Sequence, residues 1–313
     1  ADTPYYHCIS RCVRRSFLCG EDALTQKNFE HRRVLIEEQL LSLTSIFAID
    51  IAAYAIMSNH YHVIFCIDAG KAKHWSTYEV LSRWHKLYKG TLLTQQYCKG
   101  EKLSEPLLAL VQAKAEIYRK RLIKISWLLG YVNQNIAIIA NAEDNCTGSF
   151  WEGRYKLQPL LDEKALAACM AYVDLNPVRA KMAKTPEGSD HTSIQLRIEH
   201  AKENEQPKSL QPFIGNPKLK MPQGIPFELL DYIQLVELTG RCIRKDKTGY
   251  IEANIPDILQ RLNIQPENWL MLTKQFHSVF HGAVGHEQAI NDYCEHQHFK
   301  RRSNVKSCKA LLG

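Results

Sequence analysis

Two histidines, His60 and His62, stand two residues apart in the stretch Ser58-Asn59-His60-Tyr61-His62-Val63-Ile64-Phe65. Their neighbours Tyr61, Val63, Ile64 and Phe65 favour a pleated, half-buried surface, so Tyr61 to Ile67 is predicted to be a strand that ends at the turn signal Asp68-Ala69-Gly70. Side chains alternate along a strand, which puts His60 and His62 on one face and Tyr61 and Val63 on the other. At a rise of roughly 3.3 Å per residue the two imidazoles lie about 6.5–7 Å apart. Both rings can then reach one metal ion, with bonds of about 2.0–2.1 Å as in zinc sites. A His-x-His pair can equally be two surface or hydrogen-bonded residues. On a strand this apolar, the pair needs partners, because unpaired buried polar groups are costly.

A second stretch carries possible chemistry: Ala171-Tyr172-Val173-Asp174-Leu175-Asn176-Pro177-Val178-Arg179-Ala180. Tyr172 and Asn176 are four residues apart and so share one face of a helix. That helix is predicted to stop near Asn176, because Pro177 disfavours α conformation in the residue before it. Asn176 can cap a short helix beginning at Pro177 while Tyr172 packs in a core. An asparagine can also cap with part of its polar surface and offer its carbonyl elsewhere.

The elements that must position these residues follow from the pattern along the chain. Tyr5 to Val13 reads as a strand, with Arg11, Arg14 and Arg15 on or beside it. Asn28 to Leu43 has helical apolar spacing, and Phe47 to Met57 is a second strand before Tyr61 to Ile67. This β-α-β-β order opens a ferredoxin-like α+β unit, an antiparallel sheet with helices on one face and the histidine pair on the open face. Residues 74 to 141 read as helical: Thr77 to Lys89, then Glu105 to about Lys124, then about Ser126 to Ala140. Pro106 falls near a first-turn position, and Arg119-Lys120-Arg121 is either a solvated face or a phosphate-contacting one. Phe150 to Leu161 reads as a strand in which Arg154 and Lys156 alternate with Tyr155 and Leu157. Asp162 is a good N-cap for the helix that leads to Tyr172. Residues 185 to 224 are polar and rich in Pro and Gly, and read as a linker. Beyond residue 225, apolar spacing around Leu229, Pro256 and Trp269 predicts further helices, followed by a basic tail through Lys300-Arg301-Arg302.

Composition bounds the function. The 313 residues suffice for two domains, and 45% hydrophobic content is that of a globular protein. The net charge of +7, from 40 basic and 33 acidic residues, favours a polyanionic partner. No apolar run reaches the roughly 18 residues that a membrane span needs. The opening Ala1-Asp2-Thr3-Pro4 does not read as a signal peptide. The ten cysteines contain no Cys-x-x-Cys pair and read as reduced, mostly buried thiols of a cytoplasmic protein. Cys294, His296 and His298, with His286 upstream, fit no standard zinc spacing.

The two chemical stretches together resemble one family. Met57-Ser58-Asn59-His60-Tyr61-His62-Val63 resembles the His-hydrophobic-His motif of HUH single-tyrosine transposases, and Ala171 to Ala180 resembles the catalytic-tyrosine helix of their REP-associated branch. Tyr5, His7, Ile9, Ser10 and Arg11 are similar to the family's opening strand, and Gly148 to Tyr155, with Phe150, Trp151 and Arg154, to the strand before the tyrosine helix. The resemblance covers about residues 5 to 183. The segment 74 to 125 is longer than compact members need, and the region beyond about 225 lies outside it.

The resemblance implies residues 1–184 as an HUH nuclease domain with a helical insertion at about 74–125; the polar composition of 185–224 reads as a linker, and 225–313, with its own apolar spacing and no catalytic constellation, as a helical accessory domain that adds DNA or self-contacts. It implies Tyr172 as nucleophile, His60 and His62 as metal ligands and Asn176 as the third. A phenol with a pKa of about 10 is a weak nucleophile, so a cation that polarises the target phosphate fits that role. Magnesium or manganese is implied by the family; the ligand set alone suits zinc equally. The implied activity is single-stranded DNA cleavage and rejoining beside palindromic hairpins, through a 5′-phosphotyrosine that frees a 3′ hydroxyl. Arg11, Arg14, Arg15, Arg154, Lys156 and Arg179 are candidate DNA contacts, and Trp151 and Tyr155 either stack bases or pack in a core. A catalytically inactive hairpin-binding regulator and a water-using metal nuclease are the alternatives. The oligomeric state is expected to be monomer or homodimer.

Overall fold

The computed structural model describes residues 3–13, 18–21, 26–215, 224–244 and 257–313. Four strands form one sheet: β1 (Tyr5–Arg11), β2 (Ile49–Ile56), β3 (His60–Ile67) and β4 (Lys156–Leu160). Their order is β2-β3-β1-β4 and every pairing is antiparallel. Each of the first three strands is dominated by β-branched, aromatic and small apolar residues, which suit a sheet buried on both sides. The β1–β3 register sets Ile9 opposite His62 and Arg11 opposite His60. Alternation then divides β3 between two faces, with His60, His62 and Ile64 on one and Tyr61, Val63 and Phe65 on the other.

Two helical layers cover the sheet. Tyr61, Val63 and Phe65 are buried with the helix His31–Leu43 and the helical run Thr77–His85, Leu92–Cys98, Glu105–Arg121 and Ile125–Glu143. A capping box between Ser76 and Glu79 starts that run, and Pro106 sits in a first turn where its missing N–H costs nothing. The other face receives the tyrosine helix Glu163–Asp174. Asp162 caps it, accepting from the Ala165 amide at 2.8 Å. Its alanines at 165, 167, 168 and 171 are fully buried, so the helix lies close to β2, with Ile64 and Leu160 in the same cluster. Helices therefore cover both faces, and the expectation of an open histidine face is corrected: His62 is 2% exposed.

Other boundaries shift for physical reasons. The helix expected over about Ser126 to Ala140 is Ile125–Glu143, three residues longer at its end, with Leu128, Leu129, Val132, Ile136 and Ala140 as its buried stripe. The fourth strand is only Lys156–Leu160, while Trp151 makes an isolated bridge to Cys12 and its indole donates to the Asn133 carbonyl at 2.8 Å. Residues 185–224, expected as linker, contain the helix Ser193–Ala201. Its buried Arg197 donates to the carbonyls of Ala52 and Gln211, each at 3.0 Å. Beyond 225 come Leu229–Ile243, Asp257–Leu262, Pro266–Val279, Glu287–His296 and Val305–Leu311. Tyr232, Trp269, Leu272 and Phe276 from these helices, and Phe280 just after one of them, share one buried cluster with Leu166, Met170 and Val173 of the tyrosine helix. All ten cysteines are thiols outside any disulfide, and most are buried. No single helix among the described residues is long and apolar enough to cross a membrane.

Candidate active site

β3 delivers His60 and His62 to one face, and their Nε2 atoms lie 3.1 Å apart. Two nitrogens at about 2.0–2.1 Å from a single ion can take that separation. The other ring nitrogen of each is engaged. His60 Nδ1 lies 2.6 Å from Asn59 Oδ1, and His62 Nδ1 lies 2.9 Å from Nε2 of His7 on β1. His7 Nδ1 faces Gln158 Oε1 at 3.5 Å, and Gln158 Nε2 donates to the carbonyls of Phe280 and Gly282 at 3.0 and 2.9 Å. Burial makes the charged imidazole unfavourable in all three histidines: the pKa falls to about 3 for His7, to about 4 for His60 and well below the ordinary value for His62. All three rings are therefore neutral at physiological pH, the state a metal ligand requires.

Tyr172 stands over this pair. Its ring meets that of His62 edge-on, with centroids 5.7 Å apart, and packs beside Phe276 at 5.9 Å. The Arg179 guanidinium lies 3.9 Å from the centroid of the tyrosine ring. Arg179 also donates to the carbonyls of Tyr172 and Thr273 at 2.6 and 2.8 Å, so it clamps the tyrosine to the helix Pro266–Val279. Burial pushes the phenol pKa up, and the Arg179 charge pulls against that shift.

Arg11, His60, His62, Arg154, Lys156 and Tyr172 line one cavity of about 100 Å³, together with Glu152 and His277. The structure thus gathers most of the residues singled out from sequence. Arg14 and Arg15 lie outside the described residues. Arg179 sits behind the tyrosine ring and does not line the cavity. Asn176, in the short helix Asn176–Arg179, is buried one turn beyond Tyr172; its Nδ2 has no hydrogen-bond partner, and it does not line the cavity either. Among the described residues no group of three or more His, Cys, Asp or Glu side chains could hold a metal. A metal on His60 and His62 therefore needs a neutral ligand such as Asn176, or water and substrate oxygens, to complete its shell.

Three contributors carried little signal in the sequence. His7 stands in β1 two residues before Ile9, and only the pairing of β1 with β3 shows that it reaches His62. Gln158 lies directly opposite His7 in the β1–β4 register. His277 comes from a helix whose apolar spacing spoke only of packing, and burial lowers its pKa as well.

No family model matches the chain, and no curated protein matches it. A solved structure described as a REP-associated tyrosine transposase bound to a REP hairpin is similar, with a TM-score of 0.37 and 8% identity over 64% of this chain and 81% of that one. A likeness of that size leaves function to the geometry of the site itself.

Proposed function

We propose that this protein is a metal-dependent, single-tyrosine DNA strand transferase with a ferredoxin-like HUH core. The strand order β2-β3-β1-β4 supports that core. One observation carries the activity: two neutral imidazoles converge at 3.1 Å beneath a tyrosine, inside a cavity rimmed by Arg11, Arg154 and Lys156. Imidazole nitrogens aimed at one point suit a divalent ion, and a cationic rim suits a phosphodiester. His60 and His62 would hold the metal, with Asn176 as a neutral third ligand; bound magnesium or manganese would polarise the scissile phosphate.

The protein's own groups do the rest. Arg11, Arg154 and Lys156 bind the strand through its phosphates. Arg179 fixes the ring of Tyr172 and favours its phenolate. The Tyr172 oxygen attacks phosphorus, the 3′ oxygen leaves as a hydroxyl, and the 5′ phosphate stays on the tyrosine. That ester conserves the bond energy, so a 3′ hydroxyl can attack it and rejoin strands without a nucleotide cofactor. The motif resemblance supports single strands beside palindromic hairpins as the substrate.

A labelled hairpin-bearing single strand incubated with Mn²⁺ tests this reading. The expected result is one cleaved product with a 3′ hydroxyl, abolished by a chelator and by His60→Ala. Binding should weaken with salt, at a log–log slope of roughly −0.7 per neutralised phosphate. Asn176→Ala should weaken metal dependence less than either histidine change, because water can replace a neutral amide. Tight binding with no cleavage would instead identify a hairpin-binding regulator.

A further inference from the structure

We infer that His7 and Gln158, anchored by backbone carbonyls of the C-terminal segment, fix the tautomer of His62 so that its Nε2 lone pair faces the metal. The inference rests on the metal reading of His60 and His62 above. It adds two positioning residues and gives residues 280–282 a part in metal binding.

The chain of donors and acceptors has one consistent direction. Carbonyl oxygens cannot donate, so the end of the Gln158 amide that faces Phe280 and Gly282 must be its NH₂. Both hydrogens of that group are engaged there, at 3.0 and 2.9 Å, and Gln158 is buried, so the amide has no freedom to turn. Its oxygen therefore faces His7 Nδ1, across the longest link of the chain at 3.5 Å. An oxygen there requires the hydrogen on Nδ1. A neutral imidazole carries one N–H, which leaves His7 Nε2 as an acceptor. It lies 2.9 Å from His62 Nδ1, so His62 donates from Nδ1 and keeps a lone pair on Nε2.

His60 reaches the same state independently. Its Nδ1 lies 2.6 Å from Asn59 Oδ1, which accepts, and its Nε2 is left with a lone pair. Two lone pairs then face one another at 3.1 Å, an arrangement that a cation between them would relieve. The opposite direction along the chain would set the Gln158 oxygen against a lone pair on His7 and place an N–H of His62 where the ion belongs. Hydrogen bonds that orient metal-bound histidines in this way typically contribute about 10–100-fold to metal affinity.

The test uses the full chain and two readouts. Long-range ¹⁵N spectra of the metal-free protein should show His62 as the Nδ1–H tautomer. Mn²⁺ titration followed by electron paramagnetic resonance should show binding that His60→Ala and His62→Ala remove. His7→Phe keeps a ring but no acceptor, and should weaken Mn²⁺ binding about 10–100-fold and release His62 into mixed tautomers. Gln158→Leu should act in the same direction. His7→Gln restores an amide oxygen for His62 Nδ1 to donate to, and should recover most of the affinity. Finding the Nε2–H tautomer of His62 in the wild type would overturn the inference even if His7→Phe does not fold. A wild type that binds Mn²⁺ through His60 and His62, beside a folded His7→Phe of equal affinity, would overturn this inference alone. A wild type that binds no Mn²⁺ would overturn the metal reading and this assignment with it.

Discussion

The two faces of the sheet are built from the same strands and put to different uses. On one, Tyr61, Val63 and Phe65 meet the helices of residues 31–43 and 77–143 in an apolar cluster. Tyr61 has the polar tip there, and it donates to Asn133 Oδ1 at 2.6 Å. On the other face the same alternation presents His7, His60 and His62, closed over by Tyr172 and Phe276. The first face is assembled largely from sequence neighbours. The second draws β1, β3, β4, the tyrosine helix and residues 273–282 into one site, so its chemistry depends on segments far apart in the chain. A face that does chemistry needs its polar groups held from several directions, and this one is held by backbone carbonyls of Thr273, Phe280 and Gly282.

Removing residues 225–313 attacks that dependence most severely. Trp269, Leu272, Phe276 and Phe280 would leave the tyrosine helix exposed. The truncated chain is expected to lose cooperative thermal unfolding and solubility. A folded, DNA-cleaving core of residues 1–224 would show that the chemical face stands without this cover.

Paired substitutions sharpen the contrast between faces. Phe65→Ala on the apolar face should cost about 3–5 kcal/mol in denaturant unfolding, with Mn²⁺ affinity unchanged. His62→Ala should abolish cleavage and cost less stability, about 1–3 kcal/mol for the hydrogen-bond partner left on His7. Equal stability losses with equal activity losses would erase the distinction.

The faces should also differ in acid. The buried imidazoles have folded-state pKa values of about 3 for His7 and about 4 for His60, against an ordinary value near 6.5. The unfolded chain takes up protons in this range that the folded chain refuses. Stability is therefore full above about pH 6.5 and is lost as pH falls toward 4. Asp174 works in the other direction. It is buried with Ser193 and Tyr232 as donors, its pKa is raised to about 6, and its protonation in the folded state offsets part of the loss. Urea midpoints at pH 7.5 and 5 should show a net fall, and His62→Ala should flatten it. The smallest effect is expected at Leu110, on the outer side of the insertion helices and 60% exposed: Leu110→Ala should change stability by no more than about 0.5 kcal/mol and leave cleavage intact.

Much of this arrangement is readable from residue types. The alternation around His60 and His62 and the Asp162 cap each encode local geometry, and the local geometry follows them. The i, i+4 spacing of Tyr172 and Asn176 does not place them on one helix, because the tyrosine helix ends at Asp174 and Asn176 opens a separate short helix. What covers the histidines is not encoded locally. Apolar spacing around Trp269 tells which side of a helix is buried, but not that it is buried against Tyr172. His7, Gln158 and His277 join the site through strand register and helix packing between distant segments, which no single stretch records. Within the polar run 185–224, the described residues include polar groups that are used inside: Arg197 donates to the buried carbonyls of Ala52 and Gln211, and the Ser193 hydroxyl donates to Asp174.

The central claim is that Tyr172 forms a covalent bond to a DNA 5′ phosphate, and mass spectrometry of the protein after reaction tests it most directly. The chain is incubated with a hairpin-bearing single strand and Mn²⁺, denatured and digested with protease and nuclease. The account predicts a phosphonucleotide on the peptide that contains Tyr172, absent from Tyr172→Phe, which should still bind the strand with nearly unchanged affinity. Cleavage without any adduct, or an adduct that persists in Tyr172→Phe, would contradict it.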